Sequence, residues 1–498
     1  MKAQKVRKGF GLRGVRAVLG SRVGRGLAVG LTLLLLHLDV APAVASASVN
    51  PRKEAKVASE SLATRLMLWA MRVWTLQVQL VDKPPLAPAP GLPPVWGVSA
   101  SVYGGVVNLG NGNLCLQIPL VGWANGVSFS LVFNSQANPS QPSPIAPKWT
   151  HNWHVFLQVS SDGKQATLQE GDGSRWVFRD TDLDGVFTPP TGVFDRLVRQ
   201  NDGRYVLERK GSEERWEFAV SGSVRLLERV VDRYGRAIAL GYANGRLETV
   251  TDRYNRSLTL VYQGSRLWKV VDFTGRAWEL QYDGNGRLWK VVFPAVEDEN
   301  GQARTYQIVL GYNARGNVIS WTDRLGRSWQ YGYVSSTSDA LKWFKDPAGN
   351  QWTAFYLPAE ASTESGIPAE TGSTRWGDPT GVWVEYGFAA PVVVRITQGG
   401  NNTTERLTTR LWYNGQYQVV KRQDPAGLVW EWSYDGQGNL LWSKEPNGAI
   451  TSYTYYPGTD HVWKVTDALG YVWEYTYTEA YGDVKSVKDP EGGVVQYV

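Results

Sequence analysis

The strongest constraint on this chain is a pair of residues, three apart, that recurs through its second half. An acid followed by Gly or Asn stands at Asp232/Gly235, Asp252/Asn255, Asp272/Gly275, Asp323/Gly326, Asp346/Gly349, Asp378/Gly381, Asp424/Gly427, Glu445/Gly448, Asp467/Gly470 and Asp489/Gly492. Where the units are contiguous the step is about 20 to 22 residues. Asp at the first position of a type I turn accepts hydrogen bonds from the backbone ahead of it, and Gly at the fourth takes the positive φ that returns the chain into a strand. Asn255 stands in for Gly because Asn tolerates that conformation best among the other residues.

The residues after each Gly alternate with period two. Three, five and seven residues on lie Leu258, Leu260 and Tyr262; Trp278, Leu280 and Tyr282; Trp329, Tyr331 and Tyr333; Trp430, Trp432 and Tyr434; Trp473, Tyr475 and Tyr477, with small or polar residues between them. Such alternation predicts a strand with one packed face and one wet face. A second turn comes after the Tyr (ANGRL at 243–247, DGNGRL at 283–288, DGQGNL at 435–440), and a return strand such as LWKVV leads to the next acid. Each unit is one β-hairpin. A catalytic pair is needed once, so the repeated Asp and Tyr read as turn and strand residues.

The N-terminus speaks to compartment. Residues 1–26 carry eight Lys or Arg and no acid, followed by LAVGLTLLLLHL at 27–38 and APAVASA at 41–47. That order predicts a secretory signal peptide over residues 1–47, cleaved after Ala45 or Ala47. The apolar run is too short for an ordinary spanning helix, which needs about 20 residues, so no transmembrane span is expected after cleavage. Of 52 basic and 46 acidic residues, eight and one lie before residue 48, leaving 44 and 45. The basic character therefore belongs to the leader, and net charge gives no support to nucleic-acid binding. Cys115 is the only cysteine, so no intrachain disulfide can form.

The units D-x-x-G-R/N…Y-x-x-x-G-R/N-L resemble the YD repeats of RHS (rearrangement hotspot) proteins, bacterial secreted and cell-surface proteins akin to toxin-complex shells and teneurins. The likeness extends upstream through VVNLGNGNLCLQIPL (106–120), SLVFNSQ (130–136), KWTHNWHVFL (148–157), GDGSRWVF (171–178) and the run at 181–207. The resemblance implies an all-β fold: a repeat β-hairpin sheet forming a spiral shell, here incomplete, preceded by a β-rich N-terminal region. It implies an exported, non-enzymatic scaffold that would carry or encapsulate a C-terminal toxin or effector. The family's self-cleaving core segment and passenger are not found after the array. Gly492 places its Tyr at position 499, one beyond Val498, so the array is expected to be truncated. The expected partners are the missing C-terminal repeats and a toxin passenger.

The rest of the chain divides by composition. Residues 48–83 hold a candidate amphipathic helix (Val57, Leu62, Leu66, Trp69, Val73), residues 84–97 a stiff Pro-rich linker, 98–221 a β-rich region and 222–498 the repeats. No nucleophile elbow, zincin motif, P-loop or Cys/His cluster occurs. His151 and His154 stand three apart, a spacing that in a strand or turn does not reliably aim both rings at one metal. DTDLDG at 180–185 sets Asp180, Asp182 and Asp184 at alternate positions before a Gly, like the first half of a calcium loop, yet Thr191 occupies the twelfth position where a bidentate Glu belongs. A solvated acidic turn and a calcium site are both consistent with it; no other cofactor is expected. The 23 Trp and 24 Tyr are expected mainly in packing. Exposed on a sheet they could instead stack on sugars, the alternative being an extracellular carbohydrate- or cell-surface-binding module.

Overall fold

The computed structural model describes residues 99–497 except 124–126, 220–222, 298, 359–369, 390–391, 402–403 and 480–481. The expected signal peptide, amphipathic helix and Pro-rich linker lie outside these residues. Every regular element among the described residues is a β-strand, β1 to β38 in chain order. Every ladder between strands is antiparallel and, apart from one ring closure, joins strands near each other in sequence, while an isolated bridge links Asn113 to Ala340.

Three assemblies make up the described chain. Strands β1 (Ser99–Val102), β2 (Gly105–Asn108), β3 (Leu114–Gly122), β4 (Ser128–Asn134) and β5 (Trp149–His151) form a five-stranded meander. Strands β6 (Phe156–Val159), β7 (Gln165–Gln169), β8 (Arg175–Arg179), β9 (Val186–Phe187), β10 (Arg196–Arg199), β11 (Tyr205–Glu208), β12 (Arg215–Phe218) and β13 (Val224–Val231) pair in order and then close into a ring. The closure joins β6 to the first half of β13, Phe156 opposite Leu226 and Gln158 opposite Val224. The second half of that same edge of β13, Arg229 to Val231, pairs with β14 (Ala237–Ala243). The sheet forks there: β13 completes the ring and also begins the repeat array.

From β14 the array continues hairpin by hairpin to β38 (Val494–Gln496), with a small two-stranded excursion at β20 (Val296–Glu297) and β21 (Ala303–Arg304). Among the described residues β38 pairs only with β37 (Val484–Lys488), so this long sheet does not return upon itself. Each YD hairpin carries one register shift, at Tyr242, Tyr262, Tyr282, Tyr312, Tyr333, Tyr413, Tyr434, Tyr455 and Tyr477. In β17 (Arg266–Val271) and β19 (Leu288–Val292) the extra residues are Trp268 and Trp289. A bulge bends its strand and increases the local right-handed twist, so repetition at the same place adds curvature of one sense.

The packed face predicted from the alternation is where the meander lies. Leu258, Leu260, Trp278, Leu280, Trp329 and Tyr331 share one buried cluster with Val107, Leu116, Ile118, Phe129, Leu131 and Phe133. Tyr103 stacks on Trp329 with centroids 3.5 Å apart, and Tyr331 Oη donates to Tyr103 O. Polar staples accompany the apolar contact. Lys148, buried, donates through Nζ to Asn317 Oδ1 at 2.7 Å and Asp339 Oδ1 at 3.0 Å, while Trp149 Nε1 donates to Tyr312 Oη at 3.0 Å. Farther along the array the same face is less deeply buried: Trp430, Trp432, Tyr434, Trp473, Tyr475 and Tyr477 are half-buried.

Candidate functional site: repeat turns, aromatic face and acidic loop

The repeat acids act on their own turns. In Asp232, Asp252, Asp272 and Asp323, Oδ1 accepts the amides two and four residues ahead. Oδ2 of each accepts the Nε of the Arg four ahead, at 2.8 to 2.9 Å. Asp424 and Asp467, followed by Leu428 and Tyr471 in place of Arg, keep only the two amide bonds. Gly235, Gly275, Gly326, Gly427 and Gly470 hold φ between 76° and 86°, and Asn255 holds 60°. The second turn of the unit at Asp283 has the same lock through Asn285, Arg287 and Gly286 (φ 73°), so it is as constrained as the first. The turn after Ala243 instead uses Asn244 and Gly245, both at positive φ, as a two-residue hairpin loop requires.

The repeat tyrosines are equally occupied. Tyr242, Tyr262, Tyr333, Tyr455 and Tyr477 each donate Oη to the carbonyl fifteen residues earlier, that of Leu227, Leu247, Val318, Leu440 and Val462, at 2.8 to 2.9 Å. For the last four, the acceptor stands at the foot of the preceding hairpin's return strand, beside its bulge. Burial pushes these phenols up, to about 12 for Tyr262, Tyr455 and Tyr477, so they remain neutral donors. The fifteen-residue spacing is present in the sequence, but only the three-dimensional pairing reveals its use.

Two sets of tryptophans stand out in the array. Those on the aromatic face lie under the meander or stand half-buried beyond it. The exposed Trp289 and Trp463 are bulge residues, and each lies beneath the ammonium of the next Lys, Lys290 at 4.1 Å and Lys464 at 4.3 Å from the ring centroid. Trp268 and Lys269 repeat the arrangement at 3.9 Å. A ring already covered on one side by its neighbour's charge presents less surface for a sugar.

His151 and His154 do not converge on an open site. His151 is buried against Phe129, and His154 Nδ1 lies 2.9 Å from Thr150 Oγ1. Burial lowers both imidazoles, His154 to about 4, so neither is charged at neutral pH. Cys115 is buried, and burial pushes its thiol up. The sequence-predicted residues that do meet are Asp180, Asp182 and Asp184: one oxygen from each lies within 4.8 Å of the others, with Asp180 buried and its neighbours exposed. A polar cleft of about 430 Å³ adjoins this loop, lined by Asp184, Arg199, Asn201, Tyr205 and Arg225, and another of about 320 Å³ lies around Glu213 and Arg233.

The description RHS Repeat belongs to the family model that matches residues 312–336. No curated protein sequence matches the chain. Among solved structures it is similar to the Photorhabdus luminescens Tc holotoxin pore (12% identity, 73% of this chain and 22% of that one, TM-score 0.26). It is likewise similar to TcdB2-TccC3 (11% identity, 75% and 24%, TM-score 0.28) and to a porin-like protein from Bacteroides uniformis (9%, 62% and 93%, TM-score 0.12). The chain spans about a quarter of the length of the toxin structures. The matched segment opens at Tyr312 and contains the Asp323–Gly326–Arg327 turn, the same lock and strand alternation that recur on either side of it. Residues 312–336 of this chain thus match an RHS repeat, and the turn-and-strand pattern they carry recurs before and after them.

Proposed function

We propose that the chain is an exported, non-catalytic scaffold, a stretch of shell wall whose aromatic face receives a polypeptide passenger. The observation that carries this reading is the change in that face along the array. Trp278, Leu280, Trp329 and Tyr331 are buried under the five-stranded meander, whereas Trp430, Trp432, Trp473 and Tyr475 are half-buried. A wall closed by its own N-terminal sheet at one end and left aromatic at the other suits a container better than a catalyst. The repeat Asp and Tyr side chains bonded within the array are committed to turn amides, neighbouring arginines and strand carbonyls, which leaves them no acid, base or nucleophile to spare. The basic, apolar and small-residue order of residues 1–47 supports export, and the likeness to toxin-complex proteins supports a toxin or effector as the passenger.

The test is binding of an unfolded polypeptide, a reduced and carboxymethylated globular protein, to the full chain. Binding is expected to be saturable, and Trp432→Ser with Tyr475→Ser is expected to weaken it by about tenfold, since aromatic anchors dominate such contacts. No binding, or equal binding by the double variant, would overturn the reading.

A further inference from the structure

Asp180 differs from the repeat-turn aspartates. It is 1% exposed, its Oδ2 accepts Gly185 N at 3.1 Å, and its Oδ1 has no hydrogen-bond partner. Asp232, Asp252, Asp272 and Asp323 use both oxygens, the second on an arginine. A buried carboxylate oxygen without a donor or cation is unfavourable, and native structures seldom leave one idle. No arginine or lysine pairs with Asp180, Asp182 or Asp184 among the described residues; the charge that faces Asp180 is two more carboxylates. Like charges gathered beside a buried, unsatisfied oxygen call for a cation.

We propose that Asp180, Asp182 and Asp184 bind one calcium ion, and that the ion fastens the weakest joint of the ring. The geometry suits the ion: Ca²⁺ takes oxygens at about 2.3–2.6 Å, so two of its ligands lie at most about 5 Å apart, and the three carboxylates fall within 4.8 Å. The donors are all hard oxygens, with no nitrogen or sulfur to favour zinc. Asp182 and Asp184 face solvent, leaving room for waters to complete six to eight ligands, whereas Mg²⁺ demands a tighter octahedron.

The placement gives the ion a task. The acidic loop is the connection between β8 and β9, and those strands are joined by a single bridge, Arg179 to Thr188, where the ring's other neighbours share two or more residue pairs. Asp180 continues directly from β8, and Asp184 caps the start of β9 by accepting Val186 N at 2.7 Å. An ion held by both ties the two strands together at the position with the least backbone pairing.

The test uses the full chain freed of metal with a chelator. Calorimetric titration with calcium is expected to show one site, with magnesium binding at least about tenfold more weakly. Hydrogen exchange at the Arg179 and Thr188 amides is expected to slow by about tenfold or more in millimolar calcium, because a ligand of the closed joint suppresses its opening by mass action. Asp182→Asn, at an exposed residue, is expected to leave the metal-free protein folded and to abolish both effects. The proposal is overturned if calcium gives no binding at millimolar concentration, if exchange at the two amides ignores it, or if Asp182→Asn binds as the parent does.

Discussion

Asp252 shows what a single repeat residue does beyond its own turn. Burial opposes its ionisation, yet hydrogen bonds from Trp123 Nε1, from the amides of Arg256 and Tyr254 and from the Arg256 guanidinium outweigh that and hold the carboxyl at about 2. Its folded value is below the ordinary 3.8, so the stabilisation is complete above about pH 4 and is lost as pH falls through 2. Trp123 stands just past the third strand and reaches 129 positions along the chain to make its bond. Trp123→Phe is expected to cost about 1–2 kcal/mol at neutral pH and to move acid unfolding to higher pH, measured by tryptophan fluorescence across a pH series. At this scale the local chemistry was legible: D-x-x-G announces its turn because acceptor and positive φ lie within five residues. The Trp123 bond was not, since nothing local distinguishes that Trp from twenty-two others. Asp180 fell between, its spacing visible and its idle oxygen not.

The hairpin is the unit at which the tyrosine bond matters. Period-two alternation assigns strand faces from sequence alone, because side chains on one face recur every second residue. The bulge escapes that reading: a one-residue offset depends on which strand lies opposite, and Leu-Trp-Lys reads equally well with or without it. Tyr262 joins its hairpin to the one before by donating to Leu247 O at 2.9 Å. Tyr262→Phe keeps the ring's packing and leaves that carbonyl without its donor. The expected loss is about 1 kcal/mol, or somewhat more if water cannot reach the carbonyl, read from chemical denaturation. An unchanged midpoint would show that the hairpins are held by ladder and packing alone.

In the whole molecule, the array was foreseeable and the ring was not. Repeats advertise themselves by self-similarity, whereas the ring depends on three residue pairs between strands about seventy residues apart, Phe156 with Leu226 among them. Val494 and Val495 of β38 and the following Tyr497 are more than half exposed, and among the described residues the strand is paired along one edge. In a polypeptide expressed as residues 48–498, such an edge recruits another strand, so light scattering is expected to show association that rises with concentration. Val495→Lys should reduce it, and a concentration-independent monomer would count against the open edge. The meander that covers the aromatic face carries a different consequence, one of timing. Its partners come late: Ser135 bonds Asp339, 204 positions on, and Tyr331 reaches back 228 positions to Tyr103. Translation proceeds at about 5–20 residues per second, so the five-stranded sheet waits roughly 10–40 s after synthesis for the last of these partners. Throughout that interval Leu116, Phe129 and Leu131 are without their full final cover, and this short sheet depends on residues made long after its own.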